Sequence, residues 1–593
     1  MMALLLCCPA AVLATTDSIP LKELPQNSRY AIWGDSITEV TDYPRFIEIY
    51  LLACAGRKDI KICTFGHSGE QAGGLQSRQS DLEAFHPTVV SFYWGMNDSG
   101  YSAYTDEKGK GFDGNTRANL ALLIGKGITE RVVVAPSYVD GEFSPDSKNS
   151  ASAKALNDTL LHFRDIGRAA AVDTGSAFAD VHNRMKDSYN AAEKVLGPNY
   201  AIGVHVSPNG AMMIAHEILK ALSCDGDIGM IEVDMKGTAH ASDGHSVVSF
   251  SNGTVVLDSS KYPFCYNYDP YVSQGPIGIE SILPYLPFSQ ELNRFVLKVT
   301  NLGASSANVT WGSETKTFTS DQLAQGVNLA EQFDHTPFDT TFAKVMAAVV
   351  DKETYETFMI KGTSNYFGND NGGNVDPNMI AVEDRKDAAL KALIAPVRHT
   401  IVIVPAGAST PAAPIITGTM MAYPAVGQPF TYQISALNSP SSFAATGLPR
   451  GLSLDATTGQ VTGTPTETGV SMVSLSATNG NGTSSTTLTL TTSEPTPQPP
   501  AITSPAKAEA TVGTPFTYQI SATNNPTNYF AWMQSDKGTE PPASSLPPGL
   551  TYDTKSGLLS GTPTKAGTYT VQIAAMNDGG ISPMPVTLTV KDK

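Results

Sequence analysis

The block Gly427-Gln428-Pro429-Phe430-Thr431-Tyr432-Gln433-Ile434-Ser435-Ala436 returns as Gly513-Thr514-Pro515-Phe516-Thr517-Tyr518-Gln519-Ile520-Ser521-Ala522. Whatever the first copy folds into, the second must fold into as well. Leu448-Pro449-Arg450-Gly451-Leu452 recurs as Leu546-Pro547-Pro548-Gly549-Leu550, and Gly463-Thr464-Pro465-Thr466 as Gly561-Thr562-Pro563-Thr564. The offset between copies grows from 86 to 98, which puts a 12-residue insertion in the second copy near residues 529–545. Both copies are rich in Thr, Ser and Val with turn signals at close intervals, the pattern of a β-sandwich. The Pro-rich joint at 493–500 reads as an extended, stiff spacer.

At 593 residues the chain is too long for one core and suggests three or four domains. A content of 41% hydrophobic and 16% charged residues is that of globular protein. The net charge of −17, with no basic run, argues against a nucleic-acid partner. Residues 1–15 read as a signal peptide, with an apolar run closing on Ala-Val-Leu-Ala, although the basic residue expected at its front is missing. Export to the periplasm, cell surface or medium is therefore expected. No other apolar run reaches the roughly 18 residues of a membrane span. Cys54, Cys63, Cys224 and Cys265 show no metal-like spacing and are left as either paired disulfides or buried thiols. Neither a metal nor an organic cofactor is called for.

Residues 26–224 alternate short apolar strands with amphipathic helical stretches, the pattern of a sheet covered on both faces. Strands are expected at 30–33, 60–65, 89–93 and 131–135, and helices at 43–55, 116–125, 151–171 and 209–222. Residues 225–406 change character, with antiparallel strands expected at 231–235, 246–250, 254–257 and 295–299. Helices follow at 320–332, 338–350 and 382–393, then a closing strand at 399–404. This mixed accessory region carries no evident chemistry. The sandwich repeats occupy 411–492 and 501–591.

Chemistry concentrates in the first domain. Tyr30-Ala31-Ile32-Trp33 delivers Gly34-Asp35-Ser36 into a tight turn, which would leave a serine hydroxyl at the C-terminal edge of the sheet. Three later segments, Ser68-Gly69, Gly95-Met96-Asn97-Asp98 and Val204-His205, supply candidates for fixed N–H donors and a proton acceptor. A serine is a poor nucleophile until a base takes its proton, and the oxyanion formed on attack needs such donors.

These four blocks, taken in order, resemble the SGNH or GDSL-like hydrolases. The resemblance implies an α/β fold of the flavodoxin-like three-layer type and a serine esterase activity. It assigns Ser36 as nucleophile and oxyanion donor, Gly69 and Asn97 as the further oxyanion donors, and His205 as general base. The repeats resemble the Ig-like, cadherin-like modules of exported bacterial proteins at polysaccharide surfaces. Together these imply acyl esters on carbohydrate, acetyl foremost, as substrate, with polysaccharide or cell-surface contact through the repeats.

One departure stands out: the family places an aspartate three residues before the histidine, and here that position is Ile202. Either activity is low or another group orients His205, such as a backbone carbonyl at 200–202 or Asp180. Asp35 and Asp98 are expected to brace their own turns. Tyr93, Trp94, Tyr101 and Tyr104 bracket Asn97 as core or as a sugar platform. The rival functions are a lipase, lysophospholipase or thioesterase of the same family, and a catalytically impaired carbohydrate or cell-surface binding protein.

Overall fold

The computed structural model describes residues 17–40, 42–139, 150–196, 203–361, 375, 377–407, 413–495, 498–533, 546–577 and 579–593. The signal-peptide reading at 1–15, Ile202 and residues 534–545 of the insertion region expected near 529–545 lie outside them.

The first domain is built on five parallel strands: β1 (Arg29–Gly34), β2 (Lys61–Gly66), β3 (Val89–Tyr93), β4 (Glu130–Val134) and β5 (Ala177–Ala179), in the order β2-β1-β3-β4-β5. Along β1 the side chains alternate between two cores. Tyr30 and Ile32 face a core shared with β2 Ile62 and β4 Val132, whereas Ala31 and Trp33 face one shared with Phe65, Phe92 and Val133. Strands buried on both faces read as continuous apolar runs, which is why four of them were visible in the sequence. The helices are α1 (Ser36–Val40), α2 (Tyr43–Ile49), α3 (Gly74–Ser77), α4 (Gln79–Phe85), α5 (Asp106–Gly125), α6 (Ser150–Thr174), α7 (Val181–Leu196) and α8 (Pro208–Ala221). The helix expected at 43–55 changes to a π turn at Tyr50–Cys54. Helix α5 starts ten residues before its expected position, where the Thr105 side chain caps Lys108 N. Cys54, Cys63, Cys224 and Cys265 are free thiols.

Strand β2 is an edge strand, and an edge exposes unpaired backbone groups. The accessory helix Asp339–Lys361 completes it with side chains. Lys352 Nζ donates to Ile62 O at 2.8 Å, and Glu356 Oε2 accepts from Thr64 N at 3.0 Å. The two side chains pair at 2.6 Å, and Lys352 also meets Glu48 of α2 at 3.0 Å, all three fully buried. Burial alone would lower the Lys352 ammonium, but the carboxylates of Glu356, Glu48 and Glu383 outweigh it and keep it charged. Lys61, at the start of β2, pairs with Glu383 and Asp384 of the Pro377–Leu393 helix.

The accessory region holds a four-stranded sheet in the order Val327–Asn328, Arg294–Thr300, Asp227–Asp234, Thr238–Ala241, and a five-stranded sheet in the order Glu314–Thr319, Ser306–Trp311, Val397–Pro405, Thr254–Ser259, His245–Ser251. The expectation of antiparallel strands needs one correction: Arg294–Thr300 pairs parallel with Asp227–Asp234. A long connection separates the two, which a parallel pairing requires. The helix expected at 320–332 is broken by the short strand Val327–Asn328, with Gly326 at φ +110° in the break.

Each repeat pairs a four-stranded sheet with a three-stranded one. The recurring motifs are one piece of structure. Gly463, at the end of one strand, meets Gly451, directly before the neighbouring strand, so closely that a Cβ on Gly463 would sit 2.1 Å from Gly451 O, and a Cβ on Gly561 would sit 2.2 Å from Gly549 O in the same way. Tyr432 and Tyr518 donate to Thr419 O and Pro505 O, and Gln433 and Gln519 to Thr458 O and Ser556 O.

Replacing Lys352 by Met should leave Glu48 and Glu356 buried without their cation and cost about 3–5 kcal/mol of stability. Urea denaturation of the full chain checks this.

Candidate active site

Strand β1 ends at Gly34, where a Cβ would meet Thr38 Oγ1 at 2.1 Å and Tyr93 O at 2.8 Å, so only glycine lets the chain turn there. Asp35 accepts from Ile37 N at 2.9 Å and braces the turn as expected. Ser36 opens α1, 8% exposed, at the C-terminal edge of the sheet. Its Oγ lies 2.9 Å from Nε2 of His205, 169 residues further on. His205 stands in the segment that leads into α8. There Asn209 Oδ1 accepts from Ser207 Oγ and Gly210 N and holds the approach rigid.

Gly69 follows β2 with φ +79° and nothing within 4 Å of where a Cβ would stand. Glycine is needed here for its backbone angle rather than for space. Asn97 follows β3. Its Nδ2 donates to Glu70 O at 2.9 Å and approaches Asp35 Oδ2 at 3.4 Å, while its Oδ1 accepts from Tyr101 Oη at 2.8 Å. Asp98 reaches across to accept from Ala72 N at 3.1 Å, so it ties the β2 and β3 loops together rather than bracing only its own turn. Arg78 holds Glu70 through two bonds of 2.7 and 2.9 Å. Ser36 and His205 therefore touch directly, and Asn97 bridges the turn before Ser36 and the loop that carries Gly69.

Asp180 is not beside His205. It is fully buried and paired with Arg164 at 2.6 Å, and it also accepts from Asp17 N and Asn183 Nδ2. Among the described residues no carboxylate hydrogen-bonds to the His205 ring. Of the four aromatics, Tyr93 and Trp94 are core, Tyr104 stacks on His162 at 4.1 Å, and Tyr101 alone is well exposed, at 40%. Sequence reasoning missed Glu39. Its side chain is 4% exposed and accepts from Ser68 N and Ser68 Oγ at 2.7 and 2.6 Å and from Lys361 Nζ at 2.7 Å. A lone glutamate on a short helix reads as solvent-facing, and its lysine lies 322 residues away.

Burial pushes the Asp35 carboxyl up to about 8 and that of Asp98 up to about 6. His205 is lowered from its ordinary value by loss of water around the ring, with Glu39 pulling the other way, so the imidazole is a free base at neutral pH.

Residues 32–212 match the family model of the GDSL-like Lipase/Acylhydrolase family, and residues 413–493 and 499–591 each match the "Putative Ig domain" model. The chain thus carries a GDSL-like lipase/acylhydrolase domain, a family of ester hydrolases, followed by two Ig domains. A gut microbial diltiazem-metabolizing enzyme superposes with a TM-score of 0.53 at 19% identity, covering 65% of this chain and 99% of that one. This likeness shows the fold. The extracellular lipase of Streptomyces rimosus aligns over 27% of this chain and 83% of its own, at 15% identity and a TM-score of 0.21. The serine-rich adhesin for platelets of Staphylococcus aureus is 34% identical over 136 residues, 23% of this chain, which spans only 6% of that adhesin. No helix among the described residues is long and apolar enough to cross a membrane.

The raised Asp35 has a stability consequence. A carboxyl that keeps its proton to about pH 8 in the fold but releases it near 3.8 when unfolded favours the folded state at low pH. That advantage is lost as pH rises through about 8. Buried His182, lowered to about 4 by burial, acts in the opposite sense, but only below its ordinary 6.5. Between about pH 6.5 and 8.5 the denaturation midpoint should therefore fall, and fall less in Asp35→Asn. Equal slopes in the two proteins would show Asp35 already ionised at the lower pH.

Proposed function

We propose that this chain is an exported serine esterase that removes acyl groups, acetyl foremost, from carbohydrate. The observation that carries the reading is the 2.9 Å contact between Ser36 Oγ and His205 Nε2 at the C-terminal edge of the sheet. That distance lies within the reach required for proton transfer. The strand order β2-β1-β3-β4-β5 supports a flavodoxin-like three-layer domain, whose ligands sit at this edge.

In this reading His205 Nε2 takes the hydroxyl proton as Ser36 Oγ attacks the ester carbonyl. The negative charge that develops on the carbonyl oxygen is met by the backbone N–H groups of Ser36 and Gly69. The second N–H of Asn97, engaged only by the 3.4 Å approach to Asp35, is the third donor. Collapse of the tetrahedral intermediate expels the alcohol, which collects the proton from the imidazolium. Water activated by His205 then releases the acid and restores Ser36. These steps use only side-chain and backbone groups of the chain.

The carbohydrate assignment is supported by the two Ig domains, which we propose contact polysaccharide or the cell surface, and by the exposed Tyr101 ring beside Asn97. Acetate release from p-nitrophenyl acetate and acetylated xylan by the full chain is the test. Ser36→Ala should reduce turnover by about 10⁶-fold, as loss of the nucleophile does in other serine hydrolases. Rates should fall from acetyl to octanoyl esters; a rise with chain length would identify a lipase instead. Retention on insoluble polysaccharide with wild type and Ser36→Ala equally inert on every ester would leave a binding protein.

A further inference from the structure

We propose that Glu39 is a positioning residue of the active site, a buried carboxylate that fixes the oxyanion loop through Ser68 and whose negative charge favours the His205 imidazolium, and that Lys361 of the accessory region clamps it. This rests on the serine esterase reading and supplies a carboxylate to the site of a chain that carries Ile202 where the family places its aspartate.

The geometry begins on α1. Ser36 and Glu39 are three residues apart on one helical turn, so the nucleophile and the carboxylate share a face. The Glu39 side chain turns inward to the end of β2, where a Cβ on Gly66 would lie 2.4 Å from Glu39 N. No larger residue than glycine allows that approach. Glu39 Oε2 there accepts from both Ser68 N and Ser68 Oγ, the residue directly before Gly69. Two bonds from one oxygen pin the peptide that leads into the Gly69 N–H, so the direction of that donor follows the position of Glu39.

Lys361 arrives from the opposite side as the last residue of the Asp339–Lys361 helix. Its Nζ stands 2.7 Å from Glu39 Oε1 and 3.0 Å from Oε2, with the lysine side chain 3% exposed. A carboxylate buried to this degree is costly unless its oxygens are well satisfied, and here four contacts from three groups, counting the backbone and hydroxyl of Ser68 separately, satisfy them.

Among the described residues, the charged and titratable groups around the site include Asp35 on the nucleophile's turn, Glu39 on α1, His67 and Glu70 in the β2 loop with Arg78 on Glu70, Asp98 in the β3 loop, and Lys361 from the accessory helix. Of these, Glu39 is the one whose charge acts on His205, favouring its protonated form. Asp35 and Asp98 are pushed toward neutrality by burial, and Glu70 is held by Arg78. The imidazolium formed as Ser36 loses its proton is thus opposed by burial and favoured by Glu39, the role a triad carboxylate fills in other serine hydrolases. Lys361 reduces the field of Glu39 at His205 while holding the carboxylate in place.

The experiment measures kcat and kcat/KM for p-nitrophenyl acetate against pH in the full chain, comparing wild type, Glu39→Gln, Ser68→Ala, Lys361→Met and Lys361→Arg, with thermal melts on each. Glu39→Gln should lower kcat by about tenfold to a hundredfold, less than the roughly 10²–10³ of a lost oxyanion donor, with KM little changed. The acid limb of kcat/KM reports the His205 proton in the free enzyme. Removing the negative charge of Glu39 should move that limb to lower pH, and removing the positive charge of Lys361 should move it to higher pH. Lys361→Arg should restore the wild-type profile. Ser68→Ala should lower kcat without moving the limb. These opposite displacements belong to charge and would not arise from a merely structural role.

A folded Glu39→Gln with wild-type kcat and an unmoved limb overturns the proposal, as do displacements of the same sign in Glu39→Gln and Lys361→Met. Should Glu39→Gln fail to fold, the direction of the Lys361→Met displacement and the effect of Ser68→Ala decide. Wild type and Ser36→Ala equally inert would instead overturn the esterase reading itself, before any Glu39 variant is compared.

Discussion

The arrangement of this molecule depends on how the open edge of β2 is closed. A parallel sheet leaves its outermost strand with unpaired N–H and C=O groups, and among the described residues no further strand supplies partners here. Lys352 and Glu356, one turn apart on the accessory helix, do so with side chains, one donating to Ile62 O and the other accepting from Thr64 N. They also neutralise one another and engage Glu48 on α2. Arg78 caps the same strand at Phe65 O. Because His67-Ser68-Gly69 continues directly from β2, the position of this strand sets the position of the loop beside Ser36. The accessory region is therefore part of the hydrolase domain's framework rather than a neighbour of it.

Around Ser36 a second principle operates, cross-bracing of short loops by backbone-directed side chains. Asp35 binds Ile37 N, Asp98 binds Ala72 N, Asn97 binds Glu70 O, and Glu39 binds Ser68 N. Asp35 braces its own turn, and the other three each join the loop at one strand end to the loop at another, so three segments distant in sequence are tied into one rim. The buried acids on this rim divide by partner. Those without a cation, Asp35 and Asp98, are driven toward the neutral form. Glu39 and Glu70 each have a cation, Lys361 and Arg78, in contact.

The two Ig domains show one solution used twice, since the glycine pairs that let neighbouring strands approach closely stand at equivalent places in both. They also pack against the same accessory helix. Phe530 of the second repeat meets Phe358 edge-on at 5.6 Å, and Lys344 stands 3.9 Å over the ring of Tyr423 at the start of the first. A single helix thus closes the edge of the catalytic sheet, reaches Glu39 and seats both repeats.

Much of this was legible in the chain, for local reasons. Strands β1 to β4 are apolar runs bounded by turns, and Ser36, Gly69, Asn97 and His205 could be singled out because each follows a strand or leads into a helix, where a short motif carries its own geometry. The repeats announced themselves because close backbone approach demands glycine and proline at fixed places. What was missed is non-local or too short to show a period. Strand β5 has three residues, and the parallel pairing of Arg294–Thr300 with Asp227–Asp234 depends on a partner some sixty residues away. Asp180 offered a carboxylate near the right place in the sequence, but Arg164 occupies it. Glu39 with Lys361, Ile62 with Lys352 and Thr64 with Glu356 join positions about 300 residues apart. Most of the strands, helices and turns, and the residues that carry reactive groups, can be read from the chain, since these follow from side-chain period and local backbone conformation. The tertiary structure alone decided which charges meet, because a buried ion pair is chosen by what packing brings within about 3 Å and leaves no local pattern in either partner's neighbours.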